Sequence, residues 1–127
     1  MPYVAASSII VNSAGRVLVG RRSLKKKNGP GQWETIGGSI DNNETPEECI
    51  RREIKEELNS EIETCAYFKD YKSEKGGIAV FIVTLNSEPV FDENDFEEIR
   101  WVLLGDIENL DFVLDCKQRI IDYFNLE

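Results

Sequence analysis

The sequence predicts an α/β fold, a mixed β-sheet flanked by helices, and two observations carry that prediction. Strand-patterned segments lie on both sides of a well-capped amphipathic helix, and a second amphipathic helix closes the chain. The order strands, helix, strands, helix suits a mixed sheet with helices on its faces. The 127 residues amount to one ordinary domain, and without repeats, low-complexity tracts or a linker we expect a single domain over 1–127.

The elements follow in chain order. "YVAASSIIVN" (3–12) is rich in β-branched residues and reads as a strand, "SAG" (13–15) as a turn, and "RVLVGRR" (16–22) as the return strand of a hairpin. "LKKKNGPGQ" (24–32) contains Gly-Pro-Gly and reads as a loop, and "WETIGG" (33–38) as a short strand running into a glycine turn. The helix is expected from about Pro46 to Leu58. Thr45 is the N-cap, Pro46 takes the first helical position, Glu48 completes a capping box, and Asn59 suits a left-handed C-terminal position. Ile50, Ile54 and Leu58 form its apolar stripe. "IETCAYFKDYKS" (62–73) and "GGIAVFIVTLN" (76–86) read as paired strands, "FDENDFEE" (91–98) as an acidic loop, and "IRWVLL" (99–104) as another strand. The last helix is expected over about 113–124, burying Cys116, Ile120, Ile121 and Phe124.

Composition narrows the function. The hydrophobic fraction of 41% suits a globular domain, and the longest apolar run, "IAVFIV" (78–83), is far short of a bilayer span, so no membrane partner is expected. The N-terminus has no positive region before an apolar run, so no signal peptide is expected. Three scattered cysteines, Cys49, Cys65 and Cys116, suggest reduced thiols and a cytoplasmic location. A net charge of −9 disfavours a nucleic acid polymer as partner. The basic residues are nevertheless bunched in "GRRSLKKKNG" (20–29), a candidate receiver of a small anion or simply a solvated loop. With no histidine, catalysis must rely on carboxylates, lysine, tyrosine or a metal held by oxygen.

Glu53, Glu56 and Glu57 are the unusual feature. Spaced i, i+3 and i+4, they share one helical face, and the last two lie near the negative end of the helix dipole. A charged surface helix is the ordinary explanation. A bound cation would instead relieve the repulsion, and all-oxygen ligands select hard ions such as Mg²⁺ or Mn²⁺. The adjacent Gly37 and Gly38, just upstream, allow close backbone approach to a ligand.

Gly38, "SIDNN", Glu44, "TPEECIR" and then "REIKEELNS" from Arg52 to Ser60 resemble the Nudix box, in which glycine and glutamate precede R-E-U-x-E-E-x-G-U, U being aliphatic. Positions Gly38 through Glu57 fit. Asn59 replaces the glycine, Ser60 the aliphatic residue, and Ile36 the proline usual before the two glycines. The resemblance implies an α/β/α sandwich that hydrolyses a nucleoside diphosphate linked to another moiety, with Mg²⁺ or Mn²⁺. It makes Glu53, Glu56 and Glu57 metal ligands, adds the Gly38 carbonyl, and gives Arg52 the orientation of the carboxylates and Glu44 the support of loop and helix. Glu56 is the first candidate for general base, with Glu97 or Glu98 as alternatives and Asp95 beside them. Arg21, Arg22 and Lys25 to Lys27 are candidates to meet phosphate, and Trp33 and Phe81 to stack on a base, with core packing as the alternative. The compact layout resembles MutT-type pyrophosphohydrolases, which convert an NTP or dNTP to monophosphate and pyrophosphate. The alternatives are hydrolysis of a nucleotide sugar or other diphosphate, and a non-catalytic nucleotide-binding module.

Overall fold

The computed structural model describes residues 2–126. Among the described residues, seven strands form two sheets and two α-helices pack with them. Strands β1 (Tyr3–Ile10), β4 (Gly37–Ser39), β5 (Ile62–Ser73) and β6 (Gly76–Leu85) make a mixed sheet in the order β4-β1-β6-β5. Strands β2 (Val17–Arg22), β3 (Trp33–Glu34) and β7 (Phe96–Val102) make an antiparallel sheet in the order β3-β2-β7.

The α/β class stands, but the expected β1–β2 hairpin does not form as a ladder. Only an isolated bridge joins Val11 to Val17, and β1 instead lies parallel to β6, with Ile9 opposite Ile82. The run "SSII" at the end of β1 is buried throughout, as befits a central strand covered on both faces. "WETIGG" likewise holds no glycine turn. The chain leaves the small sheet at Glu34 and enters the large one at Gly37, which pairs with Ser7. A Cβ on Gly37 would come within 2.3 Å of the Ala6 carbonyl oxygen, so only glycine fits there.

Helix α1 (Pro46–Leu58) has the expected bounds. Thr45 accepts from the Glu48 N–H, Glu48 accepts from the Thr45 N–H, and Asn59 closes the helix at φ 47°. Ile50, Ile54 and Leu58 are wholly buried against Ala6, Ile10, Ile36, Phe81 and Phe96. A second core joins Ile9, Val19, Trp33, Val80 and Val102 to Ile120 of α2 (Cys116–Phe124). Adjacent residues of one strand, Ile9 and Ile10, thus serve opposite cores, as the two-residue strand period requires.

Two boundaries differ from expectation. Helix α2 starts at Cys116 instead of near 113, because Leu114 adopts φ 45°, which a right-handed helix excludes, while the Val113 N–H bonds the Trp33 carbonyl of β3. Cys116 and Ile120 are buried in it, whereas Ile121 and Phe124 are only half-buried. The acidic segment from Phe96 onward is strand, paired to β2 with Glu98 opposite Arg21. Ser60 is 2% exposed and bonds to Ser87, so a polar tie to the segment after β6 fills the place of the aliphatic residue.

Candidate active site

Arg52 organises the acidic face. Its guanidinium grips both oxygens of Glu44, at 2.7 and 3.0 Å, and donates to the Ser39 carbonyl at 3.1 Å. The remaining nitrogen reaches Glu53 at 3.0 Å and Glu56 at 3.4 Å. One side chain therefore ties the segment after β4 to the helix and holds two of its carboxylates. The planar fork suits this geometry better than a lysine would. The same guanidinium holds the Glu44 carboxyl below its ordinary range. Glu44 also receives the Asp41 N–H, which fixes the loop that leads into the helix.

The three clustered glutamates occupy different environments. Glu56 is the most open, with its side chain 58% exposed, whereas that of Glu53 is 13% exposed. Gly38 lies directly on Glu53: a Cβ there would come within 2.4 Å of Oε1, so the missing side chain leaves room for the carboxylate beside the backbone. Glu57 is half-buried, and its Oε2, shielded from solvent, has no hydrogen-bond partner among the described residues. Burial pushes the Glu57 carboxyl up to about 10, helped by adjacent Glu53 and by the charges of Glu34 and Asp95.

Glu34 and Asp95 thus complete the acidic surroundings of Glu57. Glu34 was not anticipated as a site residue; its one sequence signal is its position three residues before Gly37 in "WETIGG". Burial also raises the Glu34 carboxyl, opposed by Arg22. Asp95 comes from the loop whose Asp92 N–H caps the Glu57 carbonyl at 3.3 Å.

Most of the residues expected to contact substrate already have partners within the fold. Arg22 is committed to Glu34 at 3.0 and 3.1 Å, and Arg21 donates to the Gly31 carbonyl at 3.1 Å. Lys26 pairs with Asp95 at 3.1 Å, while Lys25 and Lys27 are exposed. Trp33 and Phe81 are 6% and 7% exposed and belong to the two cores. Arg100 lies over the Trp33 ring at 4.7 Å, and Tyr67 meets Phe81 edge-on. Both rings are spent on packing. Glu97 accepts the Leu24 N–H at 3.1 Å and Glu98 pairs with Arg100 at 3.2 Å, so each already has a partner.

Among the described residues, no three acidic or cysteine side chains converge on a ready-made metal site. The surroundings nevertheless suit a hard cation: an orphaned buried carboxylate oxygen on Glu57, a second carboxylate on Glu53, and the Gly38 backbone against it. Glu56 lies on the same helical face and is exposed.

The chain is similar to several known proteins. An uncharacterised Nudix hydrolase of Nostoc sp. is 32% identical over 107 residues, covering 79% of this chain and 63% of its own length. The nucleoside triphosphatase NudI of an Enterobacter species is 30% identical over 118 residues, covering 80% of this chain and 83% of its own. A solved MutT structure, from work on Aliivibrio salmonicida and Vibrio cholerae, superposes with TM-score 0.78 at 21% identity, covering 95% of this chain and 98% of that one. Among the described residues no helix is long and apolar enough to cross a membrane. The sequence profile of the NUDIX domain matches residues 1–124, and with the box residues gathered around Arg52 the chain belongs to the Nudix family.

Proposed function

We propose that the protein hydrolyses the phosphoanhydride of a nucleoside triphosphate, releasing a nucleoside monophosphate and pyrophosphate. The observation that carries this reading is the buried, unpartnered Glu57 Oε2 beside Glu53 and Gly38, with Arg52 holding the surrounding carboxylates. A carboxyl kept at about 10 by burial and acidic neighbours is poised to lose its proton to a cation. The similarity to a relative named as a nucleoside triphosphatase supports the substrate class.

Glu53, Glu57 and the Gly38 carbonyl would hold Mg²⁺ or Mn²⁺, with Glu56 joining them. The bound ion would neutralise phosphate oxygens and acidify water. Glu56 is the open carboxylate of the face and takes a proton from the attacking water. Arg52 keeps the face in register, fixing Glu53 and Glu56 relative to the segment after β4. Water adds to a phosphorus of the α–β bridge, the P–O bond from that phosphorus to the bridging oxygen breaks, and the departing group, pyrophosphate or nucleoside monophosphate, keeps the bridging oxygen.

A panel of NTPs, dNTPs, nucleotide sugars and dinucleotides, run with Mg²⁺ and again with EDTA, tests this reading. Metal-dependent pyrophosphate and monophosphate from a triphosphate is the expected result. Cleavage confined to sugar or dinucleotide diphosphates would overturn the substrate class, and nucleotide binding without cleavage would make the chain a binding module.

A further inference from the structure

The loop between β2 and β3 carries Asn28 followed by Gly29, and of the nine asparagines in the chain this is the one that glycine follows. An asparagine closes to a succinimide when the next backbone nitrogen reaches its side-chain carbonyl carbon, and a following glycine has no side chain to obstruct that approach. Asn28 is exposed, and the Gly29 N–H has no acceptor among the described residues, so the nucleophile is not engaged elsewhere. The fold itself demands the glycine. Gly29 has φ 59°, and a Cβ there would come within 2.5 Å of Val113 Cγ1.

Arg22 adds to this an activating contact. Its Nε donates to the Asn28 backbone carbonyl at 2.8 Å. That carbonyl belongs to the same amide as the Gly29 nitrogen, which attacks only after losing its proton. The negative charge then formed is shared with the carbonyl oxygen, where the guanidinium already donates. Arg22 therefore stabilises it as a preorganised donor stabilises an oxyanion. Lys25, Lys26 and Lys27 precede Asn28 directly, and their positive charge favours hydroxide at the loop.

We infer that Asn28 is a self-modifying site, converted to isoaspartate with Arg22 as the promoting group. The Gly29 nitrogen gives its proton to hydroxide and bonds to Asn28 Cγ. The bond from Cγ to the side-chain nitrogen breaks, and ammonia leaves after taking a proton from water. Water then opens the succinimide. Attack at the former backbone carbonyl, which Arg22 polarises, breaks its bond to the Gly29 nitrogen and leaves an α-carboxylate, with the main chain now running through Cγ. Attack at Cγ gives aspartate instead. The isoaspartate product places a carboxylate where Arg22 meets a neutral oxygen. Arg22 also holds Glu34, at 3.0 and 3.1 Å, so two carboxylates then compete for one guanidinium.

The test incubates the whole folded chain at mildly alkaline pH and follows the exchange of NH₂ for OH at each asparagine by peptide mass spectrometry. The free peptide KKKNGPGQ, which has the same residues without Arg22, is incubated alongside. Asn28 should convert before any other asparagine, and Asn28→Gln should abolish the mass gain at this position. Arg22→Met should slow conversion by about tenfold, the scale of one charge-assisted hydrogen bond lost from the transition state. Fragmentation that separates isoaspartate from aspartate should show a larger isoaspartate share in the chain than in the peptide, and Arg22→Met should return that share to the peptide's. Asn28 left intact when the peptide is fully converted, conversion no slower in Arg22→Met, or an isoaspartate share equal to the peptide's overturns the assignment. If Arg22→Met does not fold, the isoaspartate share in the wild-type chain against that in the peptide decides alone.

Discussion

Glu57 carries a cost that makes sense only with its surroundings. Its Oε2 is buried and unpartnered, and its carboxyl stands near 10. Above the ordinary glutamate range near 4.5 and below 10, the folded metal-free protein therefore binds a proton that the unfolded chain has released. Stability then falls as pH rises through that window, since the state binding fewer protons gains. We expect the melting temperature in EDTA to drop between about pH 6 and about pH 9, and the drop to shrink in Glu57→Gln, which has no proton to lose. Parallel melting curves for the two proteins across pH would show that Glu57 is ionised without metal. Glu56 is the complementary case, because its exposure makes it dispensable for folding. Glu56→Gln should leave the melting temperature within about 1 °C, a surface change of small energy, while lowering turnover by about a hundredfold or more. Steady-state kinetics on the preferred nucleotide decide it, and unchanged turnover would remove Glu56 from the mechanism.

The elements differ in how far local sequence determines them. Helix α1 was legible to the residue because each signal acts within one turn: the Thr45–Glu48 box, Pro46 at the start, and Asn59 in the left-handed region at φ 47°. Removing the cap with Thr45→Ala should cost about 1 kcal/mol, lowering the melting temperature by roughly 3–5 °C in a domain of this size. Thermal denaturation followed by circular dichroism checks this, and an unchanged midpoint would mean that the cap bonds carry no net stability. The strands are less local. The pattern of β1 reads equally well as half of a hairpin with β2, and only its parallel pairing with β6, more than sixty residues away, sends the two into different sheets. Helix α2 was placed too early because its apolar spacing continues through Val113, which β3 claims by a backbone bond. The site divides in the same way. The box carboxylates and Arg52 were visible from spacing along one helix. Glu34 and the fate of Trp33 were not, since each depends on which distant strand or helix packs against it.

At the scale of the molecule, the acidic face is a junction. Helix α1 brings Glu53, Glu56 and Glu57, the large sheet brings Gly38, the small sheet Glu34, and the loop before β7 Asp95. In a chain of net charge −9 these carboxylates repel across three elements. Arg52, Arg22 and Lys26 offset part of that repulsion with ion pairs to Glu44 and Glu53, to Glu34 and to Asp95. No cation of this set pairs with Glu57 among the described residues, so the proposed divalent ion would act where the protein's own charges do not. Binding to the folded state alone stabilises by RT ln(1 + [Mg²⁺]/Kd), which amounts to about 2.7 kcal/mol at a hundred times Kd. Titrating Mg²⁺ into EDTA-dialysed protein should therefore raise the melting temperature by several degrees and reverse on chelation. In Glu57→Gln most of that rise should disappear, because the neutral amide no longer supplies the buried anionic oxygen. The control is Arg51, whose ion pair with Glu47 lies in the first half of the same helix, away from the junction. Arg51→Gln should keep the full Mg²⁺ response, and an equal loss in both variants would trace the stabilisation to diffuse charge screening instead of a site at Glu57.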